Sequence, residues 1–446
     1  MRRAWLSLIL ASPLAGCIHY APAPPYPERY LAAIEVRRLD EKPAGAVWSA
    51  ADLLTNALAR NPQVAEARAR HATAVAAART ARLAPAMTLT LTAEYADQSP
   101  RRGGGAAAEI PLDSGVRRSA RMTVADLGAL QAWYDYGEAT WAVRTALTKA
   151  QIDLKSAQAE MGLADQAVVL RRERLFRLER RVAAGEDDRL LALNAQTELL
   201  TAERRVSDAQ GRREQAVVAL ATALGVGPDA ARDLVLALPP EPSALDGLAA
   251  WRRDAVLSRS DILRAIADYD LAESALRLEV ARQYPEVRVG PGYTYDHGVN
   301  KLPFNLSLAL PTYDLNRRAI VQAEAARTAS GRSLERAQAN AMAQVDTAVV
   351  ALATARATLD RVTARDLPAA RRTAANAARS VQAGAADRVD ELAARAAERD
   401  AELNLLDARR AVRTAVADLE EALRRSFDPA ETAVLQTTMT QPGGTP

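Results

Sequence analysis

The stretch that decides the fold occurs twice in this chain. Val182-Ala183-Ala184-Gly185-Glu186-Asp187-Asp188-Arg189 returns as Val381-Gln382-Ala383-Gly384-Ala385-Ala386-Asp387-Arg388, so the pattern V-x-A-G-x-x-D-R repeats at an offset of 199 residues (381 − 182). Each copy interrupts a long alanine-rich helical pattern. We therefore predict that both copies are tight turns at the same end of two helical hairpins, and that this end meets a partner of the protein.

The residue types in both copies suit the end of one helix and the beginning of the next. Gly185 and Gly384 favour the left-handed backbone that ends a helix. Asp188 and Asp387 favour the N-cap or the first turn of the helix that follows. Turn chemistry alone is therefore a sufficient explanation of the two stretches.

A helical pattern of unusual length precedes the first turn. It runs from residue 115 to 182 without an internal proline, which corresponds to roughly 100 Å of helix. Its seam residues alternate spacings of four and three, and such a seam demands a partner helix. Because the turn is short, the helix at 188–224 should fold back antiparallel onto it. The seam consists of Val143, Leu147, Ala150, Leu154, Ala157, Met161, Ala164, Val168, Arg171, Leu175, Leu178 and Val182.

Two pairs of strands are predicted where the hydrophobic period changes from about 3.6 to 2. The change follows Pro85 in the first half of the chain and Pro285 in the second. Apolar and polar residues then alternate, as expected of strands with one apolar face. The second strand of the first pair is the weakest, because its sequence is also compatible with a loop. The predicted strands lie at about 86–97, 106–112, 286–296 and 303–311.

The whole chain is predicted to contain a duplicated unit of about 200 residues. Each unit has a shorter helix, two strands, a very long helix, a tight turn and a returning helix. The two shorter helices, stacked end to end, would cover the long one, so the strands lie at one end and the turns at the other. The fold class is mainly α with a small β part. The predicted boundaries are repeat 1 at 49–228, a connector at 229–248, repeat 2 at 249–426 with a long helix at 316–382 and a returning helix at 387–425, and a C-terminal tail at 427–446.

The N-terminal segment has the features of an export signal. Met1-Arg2-Arg3 is positively charged, and the short apolar stretch that follows ends in Leu14-Ala15-Gly16-Cys17. This resembles the signal of a bacterial lipoprotein, which implies removal of residues 1–16 and acylation of Cys17, for example with palmitate. An ordinary secretory signal with a chance cysteine is the alternative. Residues 17–48 would then form a lipid-anchored tether, which the prolines of Ala21–Tyr30 predict to be extended.

The remaining composition limits the partners and the way a membrane could be crossed. The formal net charge is only +3, so neither nucleic acid nor an acidic partner is implied. Beyond the signal, no apolar run is long enough for a spanning helix. If the protein crosses a membrane, it must therefore use strands, and four strands cannot close a barrel without further copies of the chain.

Together these features resemble the TolC family of outer membrane efflux factors. The likeness rests on the lipoprotein-like signal, the duplicated unit, the glycine turns and the x-P-x-x-D pattern before each long helix. The stretch Leu310-Pro311-Thr312-Tyr313-Asp314-Leu315-Asn316-Arg317-Arg318-Ala319-Ile320, followed by Gln322-Ala323-Glu324-Ala325, is similar to the heavy-metal-efflux (CzcC-like) branch.

The resemblance implies an assembly and a function. Three copies would form a twelve-stranded β-barrel in the outer membrane, continued by a periplasmic α-helical tunnel. This homotrimer would dock on a periplasmic adaptor (membrane fusion protein) and an inner-membrane pump, and would carry small substrates such as metal cations or drugs to the exterior. The protein would be lipid-anchored in outer membrane lipid, with a large periplasmic part.

The resemblance also implies roles for residues at the two turns. Gly185, Asp188, Arg189, Gly384, Asp387 and Arg388 would contact the adaptor. Asp390 occupies a position where related channels carry an acidic ring, which makes it a candidate aperture gate. The alternative for Asp390 is an ordinary charge on a solvated helix face, since the equivalent residue of the first repeat is Leu191.

No enzyme, cofactor or metal site is expected. His19, His71 and His297 lie far apart and none has ligand spacing. A nucleophile, a base and an orienting group cannot be assembled. Two alternative functions fit the same pattern. A type I secretion channel differs only in its partner, and a lipid-anchored coiled-coil scaffold explains the helices but not the strands.

Overall fold

The computed structural model describes residues 21–43, 45–95, 97, 102–112, 115–241, 247–296, 298–310 and 313–440. The chain is mainly helical, with a small β part, and consists of a duplicated unit, as predicted. The predicted signal peptide 1–16, Cys17, His19 and His297 lie outside the described residues. Among the helices that are described, none combines the length and the apolar character of a bilayer span.

The described structure begins with a helix that the sequence reasoning excluded. Helix α1 (Pro27–Glu35) occupies part of the predicted extended tether, and none of its residues is buried. The prediction failed because Pro27 lies in the first turn of the helix. A proline there loses no helical hydrogen bond, and its fixed φ angle suits the helix.

The first repeat contains the predicted order of elements. Its shorter helix is divided in two, and its second strand begins four residues before the predicted position 106. The elements are β1 (Val47–Trp48), α2 (Ala50–Arg60), α3 (Pro62–Ala81), β2 (Thr88–Tyr95), β3 (Arg102–Leu112), α4 (Gly115–Ala183) and α5 (Arg189–Leu224).

The connector and the second repeat follow. The connector contains a short helix and a strand that pairs in parallel with β1. Its elements are α6 (Pro228–Ala231) and β4 (Val235–Leu236). Those of the second repeat are α7 (Leu248–Ser258), α8 (Ser260–Ala281), β5 (Glu286–Asp296), β6 (Val299–Lys301), β7 (Phe304–Ala309), α9 (Arg317–Arg361), α10 (Leu367–Gln382) and α11 (Arg388–Leu423).

The second long helix extends over residues 317–382, close to the predicted 316–382, but its α-helical hydrogen bonding is interrupted once. A π-helical turn at Val362–Asp366 separates α9 from α10. Pro368 explains the interruption, because it has no N–H to donate to Ala364 and its ring clashes with the preceding turn of a regular helix. The chain instead forms a wider turn, in which the Leu367 N–H donates to the Val362 carbonyl.

The strands of both repeats form one antiparallel sheet. Strand β3 pairs with β2 on one side and with β5 on the other, and β5 pairs in turn with β6 and β7. The strand predicted at 303–311 corresponds to β7, and β6 is an additional short strand that a break at residues 302–303 separates from it. Pro303 lies at the break, where it has no N–H for the ladder, although its carbonyl still accepts from Gly292 N at 2.8 Å.

The shorter helices stack end to end along the long ones, as the sequence predicted. Helices α3 and α5 both pack on α4, and α8 and α11 pack on α9 and its continuation. In the first repeat the Asn61 side chain caps α3 and donates to the Ala223 carbonyl at 2.9 Å. In the second repeat Arg259 donates to the Ala422 carbonyl at 2.8 Å. The strands and the tip turns therefore lie at opposite ends.

The C-terminal segment is a helix rather than a simple tail. Helix α12 (Pro429–Thr440) belongs to the predicted tail 427–446 but packs against α2 of the first repeat. Its Leu435 is buried in the same apolar cluster as Leu54 and Leu147. The end of the second repeat is thereby attached to the first.

A buried ion cluster joins the two repeats beside α12. Arg144 of α4 is fully buried and pairs with Glu420 of α11 at 2.7 Å and with Glu431 of α12 at 2.5 Å. Ser426 donates to Glu431 at 2.8 Å. Burial alone would lower the pKa of Arg144, but the two carboxylates raise it above its usual value. Three distant segments are thus held on one guanidinium.

Candidate functional site

The first tip turn, residues 184–188, ends α4 with a left-handed glycine. Gly185 has φ 76°, and the Glu186 N–H donates to the Arg181 carbonyl at 2.9 Å. This is the Schellman arrangement, which requires a left-handed residue just after the helix. Asp188 then caps α5, because its Oδ1 accepts the Leu190 N–H at 3.0 Å. The predicted turn chemistry of Gly185 and Asp188 is confirmed.

The second tip turn, residues 383–387, has the same construction. Gly384 has φ 70°, and the Ala385 N–H donates to the Ser380 carbonyl at 2.8 Å. Asp387 caps α11 by accepting the Val389 N–H at 3.3 Å. A Cβ added at Gly384 would meet no atom within 4 Å. The glycine is therefore required by its backbone angle and not by crowding.

The two tips lie side by side and are joined by an apolar contact. Val389, in the first turn of α11, is buried in one cluster with Leu178 of α4 and Ala195 of α5. The same turn places Glu391 in a buried position, where Arg388 and Arg395 pair with it. The second tip is thus packed on the first hairpin through its returning helix.

An ion cluster also bridges the two tips. The Arg181 guanidinium pairs with Asp187 of its own turn at 2.7 Å and with Asp387 of the other turn. Asp387 therefore has two roles, as a helix cap and as an acceptor for a cation of the first repeat. Arg189, by contrast, is exposed and has no ion pair within the described part of the chain.

Asp390 lies in the first turn of α11, directly after the second tip turn, and is exposed. Its backbone N–H donates to the Asp387 carbonyl at 3.1 Å, and its side chain has no partner among the residues that the structure describes. The equivalent residue of the first repeat, Leu191, is also exposed. The carboxylate is therefore free to face solvent or a neighbouring copy.

At the opposite end, the sheet presents one continuous apolar face. Directly paired residues point to the same side of a sheet. The register pairs Leu112 with Val287, and Val287 with Leu308. Leu91 is 70 % exposed and Leu306 is 60 % exposed. These apolar side chains are therefore left uncovered by the rest of the described residues.

The other sheet face is polar. The register aligns Thr88 with Glu109, and Arg288 with Ser307. In the described residues, the outer strands β2 and β7 each pair with only one neighbour. The sheet thus combines an exposed apolar face, an exposed polar face and two open edges.

Sequence reasoning missed the contacts between the repeats. It did not identify Arg181, Val389 or Glu391 at the tips, because contacts between segments some 200 residues apart leave no local pattern. One signal was present in the seam, where the charged Arg171 occupies a position otherwise held by apolar residues. In the structure Arg171 pairs across the repeats with Asp400 at 2.5 Å.

No cofactor chemistry is apparent in the described part of the chain. Among those residues there is no group of three or more His, Cys, Asp or Glu side chains that could hold a metal ion. His71 instead packs its ring against Trp133, with 5.2 Å between the ring centroids.

Comparison with known proteins gives one family. A family model described as "outer membrane efflux protein" matches residues 53–226 and, a second time, residues 251–424. The two matches coincide with the two structural repeats and together cover more than half of the chain. No curated protein sequence matches the chain.

Solved structures of outer membrane channels have the same fold at low sequence identity. The outer membrane protein VceC of Vibrio cholerae is 20% identical, with a TM-score of 0.70 over 85% of this chain and 97% of VceC. The open MtrE outer membrane channel of Neisseria gonorrhoeae is 19% identical, with a TM-score of 0.69 over 85% and 89% of the two chains. CusC is 17% identical, with a TM-score of 0.68 over 92% and 99%.

Proposed function

Because this chain belongs to the outer membrane efflux protein family, we propose that it is the outer membrane channel of a tripartite efflux system. In this proposal it is a passive homotrimeric duct, supplied by a periplasmic adaptor and an inner-membrane pump. The single observation that carries the proposal is the sheet with an exposed apolar face and open edges at one end of two long hairpins.

The physical argument for several copies rests on the sheet edges. An unpaired backbone group in lipid costs several kcal/mol, so an open sheet does not persist in a bilayer. Known barrels begin at about eight strands. Three copies with four strand positions each (3 × 4 = 12) would close a barrel, with the apolar residues towards lipid and the polar residues towards the lumen. Strands β3 and β5, with 11 residues each, have the length that a tilted span needs.

The proposal is tested by reconstituting the full-length protein into planar bilayers. The expected results are stable conductance steps and a trimer that dissociates only on heating. A scaffold without a channel would give no conductance, and this outcome would refute the proposal. A type I secretion channel would conduct as well, and would differ in the transporter that restores its export in cells.

The lipid anchor and the substrate class are further parts of the proposal. Acylation of Cys17 would hold the N-terminus in the outer membrane, and a labelled fatty acid should enter the wild-type protein but not Cys17→Ala. The sequence around Tyr313 and Arg318 favours metal cations as substrates. A deletion strain should then become sensitive to divalent metals, and sensitivity to drugs alone would contradict this assignment.

We place adaptor docking at the two tips, which carry Gly185, Asp188, Arg189, Gly384, Asp387 and Arg388. Replacing Gly384 with Trp should abolish efflux while trimers still form, because the side chain would project from an open turn. Gly384→Asn is the matched control, since asparagine tolerates a left-handed backbone. Normal efflux in the Trp variant would refute docking at this tip.

Asp390 is proposed as an acidic gate at the aperture. Three copies would place three carboxylates around the tunnel end, which would favour cations there. Asp390→Asn should then reduce the cation selectivity of single channels, whereas Asp400→Asn, at an ion-paired position further along α11, should not. Unchanged selectivity in the first variant would remove the gate from the proposal.

A further inference from the structure

Exposed arginine and tyrosine side chains collect where the sheet meets the helices. We name Arg118, Arg317, Arg318, Tyr284 and Tyr313 the junction belt. All five are exposed, Tyr313 fully and Arg318 to 96%. The Arg-Arg doublet occurs in both repeats, as Arg117-Arg118 and 200 residues later as Arg317-Arg318. The belt is therefore a repeated feature of the fold unit.

The strand register places the belt at one level. Leu112 pairs with Val287, and Glu286 pairs with Ala309, so the ends of β3, β5 and β7 coincide on the side of the helices. Helix α4 begins three residues after Leu112, and α9 begins eight residues after Ala309. The three arginines lie in the first turns of α4 and α9, Tyr313 lies in the connection before α9, and Tyr284 lies in the connection between α8 and β5.

Among the residues that the structure describes, the belt arginines have few acidic partners. Two neighbouring arginines have close acidic partners, since Arg117 in the first turn of α4 pairs with Glu286 at 3.0 Å and Arg288 of β5 pairs with the same carboxylate at 2.9 Å. In the belt, Arg318 has one loose contact with Asp314 at 3.6 Å. Arg118 and Arg317 have no ion pair within the described ranges. At this end of the molecule, the belt arginines therefore carry positive charge that close acidic partners do not balance, unlike Arg117 and Arg288.

These arginines are not explained by the stability of their own helices. A cation in the first turn opposes the helix macrodipole, yet each repeat has a doublet there. Tyr284 and Tyr313 likewise leave their rings in solvent. The five side chains thus match a partner outside the chain that offers negative charge and a water–apolar boundary.

The apolar sheet face supplies that boundary. From Val287 to Tyr295 the apolar face of β5 spans eight residue steps, which is about 26 Å along the strand and roughly 20 Å along the membrane normal at the usual tilt of a barrel strand. A lipid-facing barrel band is about 25 Å tall and is flanked by aromatic residues at both interfaces. Tyr95 and Tyr295 lie at the far end of the band, and the tyrosines of the belt lie at the near end. The belt is therefore at the level of lipid headgroups.

We propose that the junction belt binds the phosphate groups of anionic phospholipids in the membrane leaflet next to the helices. The inference rests on the proposed function, because it requires the sheet to lie in a bilayer. Each guanidinium offers a planar set of donors that matches phosphate oxygens. Tyrosine rings occupy the headgroup level with the ring in the apolar layer and the hydroxyl in water.

The test uses full-length protein in nanodiscs made from equal parts of phosphatidylglycerol and phosphatidylcholine. The lipids that remain bound after mild extraction are counted by native mass spectrometry. Wild-type protein should retain phosphatidylglycerol preferentially. The triple variant Arg118→Gln/Arg317→Gln/Arg318→Gln should lose this preference by roughly fivefold or more, since each cation near an anionic surface contributes measurably. High salt should reduce the preference of the wild type.

The matched control replaces three exposed arginines of the helical part, Arg70, Arg204 and Arg332, with glutamine. The control should retain the wild-type lipid preference. An unchanged preference in the belt variant would overturn the inference. So would a belt variant that fails to trimerise, because the arginines would then belong to an interface between copies. A protein that does not enter the bilayer would instead refute the proposed function.

Discussion

The two repeats have the same topology, but their long helices differ in continuity. Helix α4 runs for 69 residues without a break, whereas its counterpart is interrupted by the π-helical turn at Val362–Asp366. Pro368 accounts for the interruption, and the residue 199 positions earlier is Val169, in regular helix. The comparison shows that the hairpin tolerates a local change of hydrogen bonding without losing its length or its tip.

The two repeats also differ at the elbow, the point where the returning helix ends beside the start of the shorter helix. Gly225 ends α5 with φ 71°, and a Cβ there would lie 2.6 Å from the Arg60 carbonyl oxygen. Arg424 ends α11 in the same left-handed region, with φ 49°. Its side chain pairs with Glu138 of α4 at 2.6 Å. The first elbow therefore closes within its own repeat, whereas the second also attaches to the first repeat.

The largest difference between the repeats is the buried ion cluster, which only the first long helix provides. The residues 199 and 200 positions after Arg144 are Ala343 and Gln344, both exposed. Arg144→Met should lower the free energy of unfolding by about 3–5 kcal/mol, because it leaves buried carboxylates without their cation. The measurement is denaturant unfolding of the purified protein, followed by circular dichroism.

A nearby surface pair provides the control for this prediction. Lys149 of α4 also reaches α11 and pairs with Asp418 at 2.7 Å, but both side chains are about two-fifths exposed. Lys149→Met should therefore cost no more than about 1 kcal/mol. Equal losses in the two variants would show that the repeats are not held together by the buried cluster.

The second prediction concerns the proline that distinguishes the two long helices, which is introduced into α4 and removed from the second long helix. Val169→Pro should destabilise α4 by roughly 3 kcal/mol, since proline in a helix interior costs about that much relative to alanine. Val169 is exposed, so the loss of its side chain adds little. Pro368→Ala should stabilise the second hairpin by less, because the π-helical turn has already relieved the clash.

Melting temperatures of the two variants measure this exchange. A lower value for Val169→Pro and a modestly higher value for Pro368→Ala would support the assignment of the break to proline. If Pro368→Ala melts below the wild type, the π-helical turn is itself a stabilising element and the explanation is wrong.

The features that could be predicted from the sequence are those that depend on a few neighbouring residues. Gly185 and Gly384 specify their turns through their own backbone freedom. The four-three spacing from Val143 to Val182 requires a partner helix, and the alternation after Pro85 requires a strand. Each of these signals lies within a few residues, so the hairpins and the sheet were predictable.

The remaining features depend on contacts that are remote in sequence. Helix α12 is short. Its position is stabilised by the packing of Leu435 against the first repeat and by the ion pair between Glu431 and Arg144. At the tips, Arg181 and Asp387 are remote in sequence and form an ion pair only because the two hairpins lie side by side. Pro27 was misread for a local reason, because proline was taken to exclude a helix that it in fact begins. Distance along the chain, rather than weak propensity, thus explains most of the omissions.

The smallest expected effect is a pH dependence of the melting temperature. It should distinguish the buried ion cluster between the repeats from the charged surface around it. Burial raises the pKa of Glu420 above its usual value of 4.5, although Arg144 opposes this change. The folded protein therefore binds the proton more tightly than the unfolded chain. The resulting stability is complete below the unfolded pKa and is lost as the pH rises through the folded pKa.

The melting temperature of the wild type should consequently fall as the pH is raised from 4.5, relative to that of Glu420→Gln, which has no proton to lose. Glu421→Gln is the control, because the side chain of this neighbour is about two-fifths exposed and contacts Lys149 at 3.4 Å. It should follow the wild type. The charged groups that face Glu420 are Arg144 of α4 and Glu431 of α12. Parallel curves for wild type and Glu420→Gln would mean that Arg144 keeps Glu420 ionised throughout.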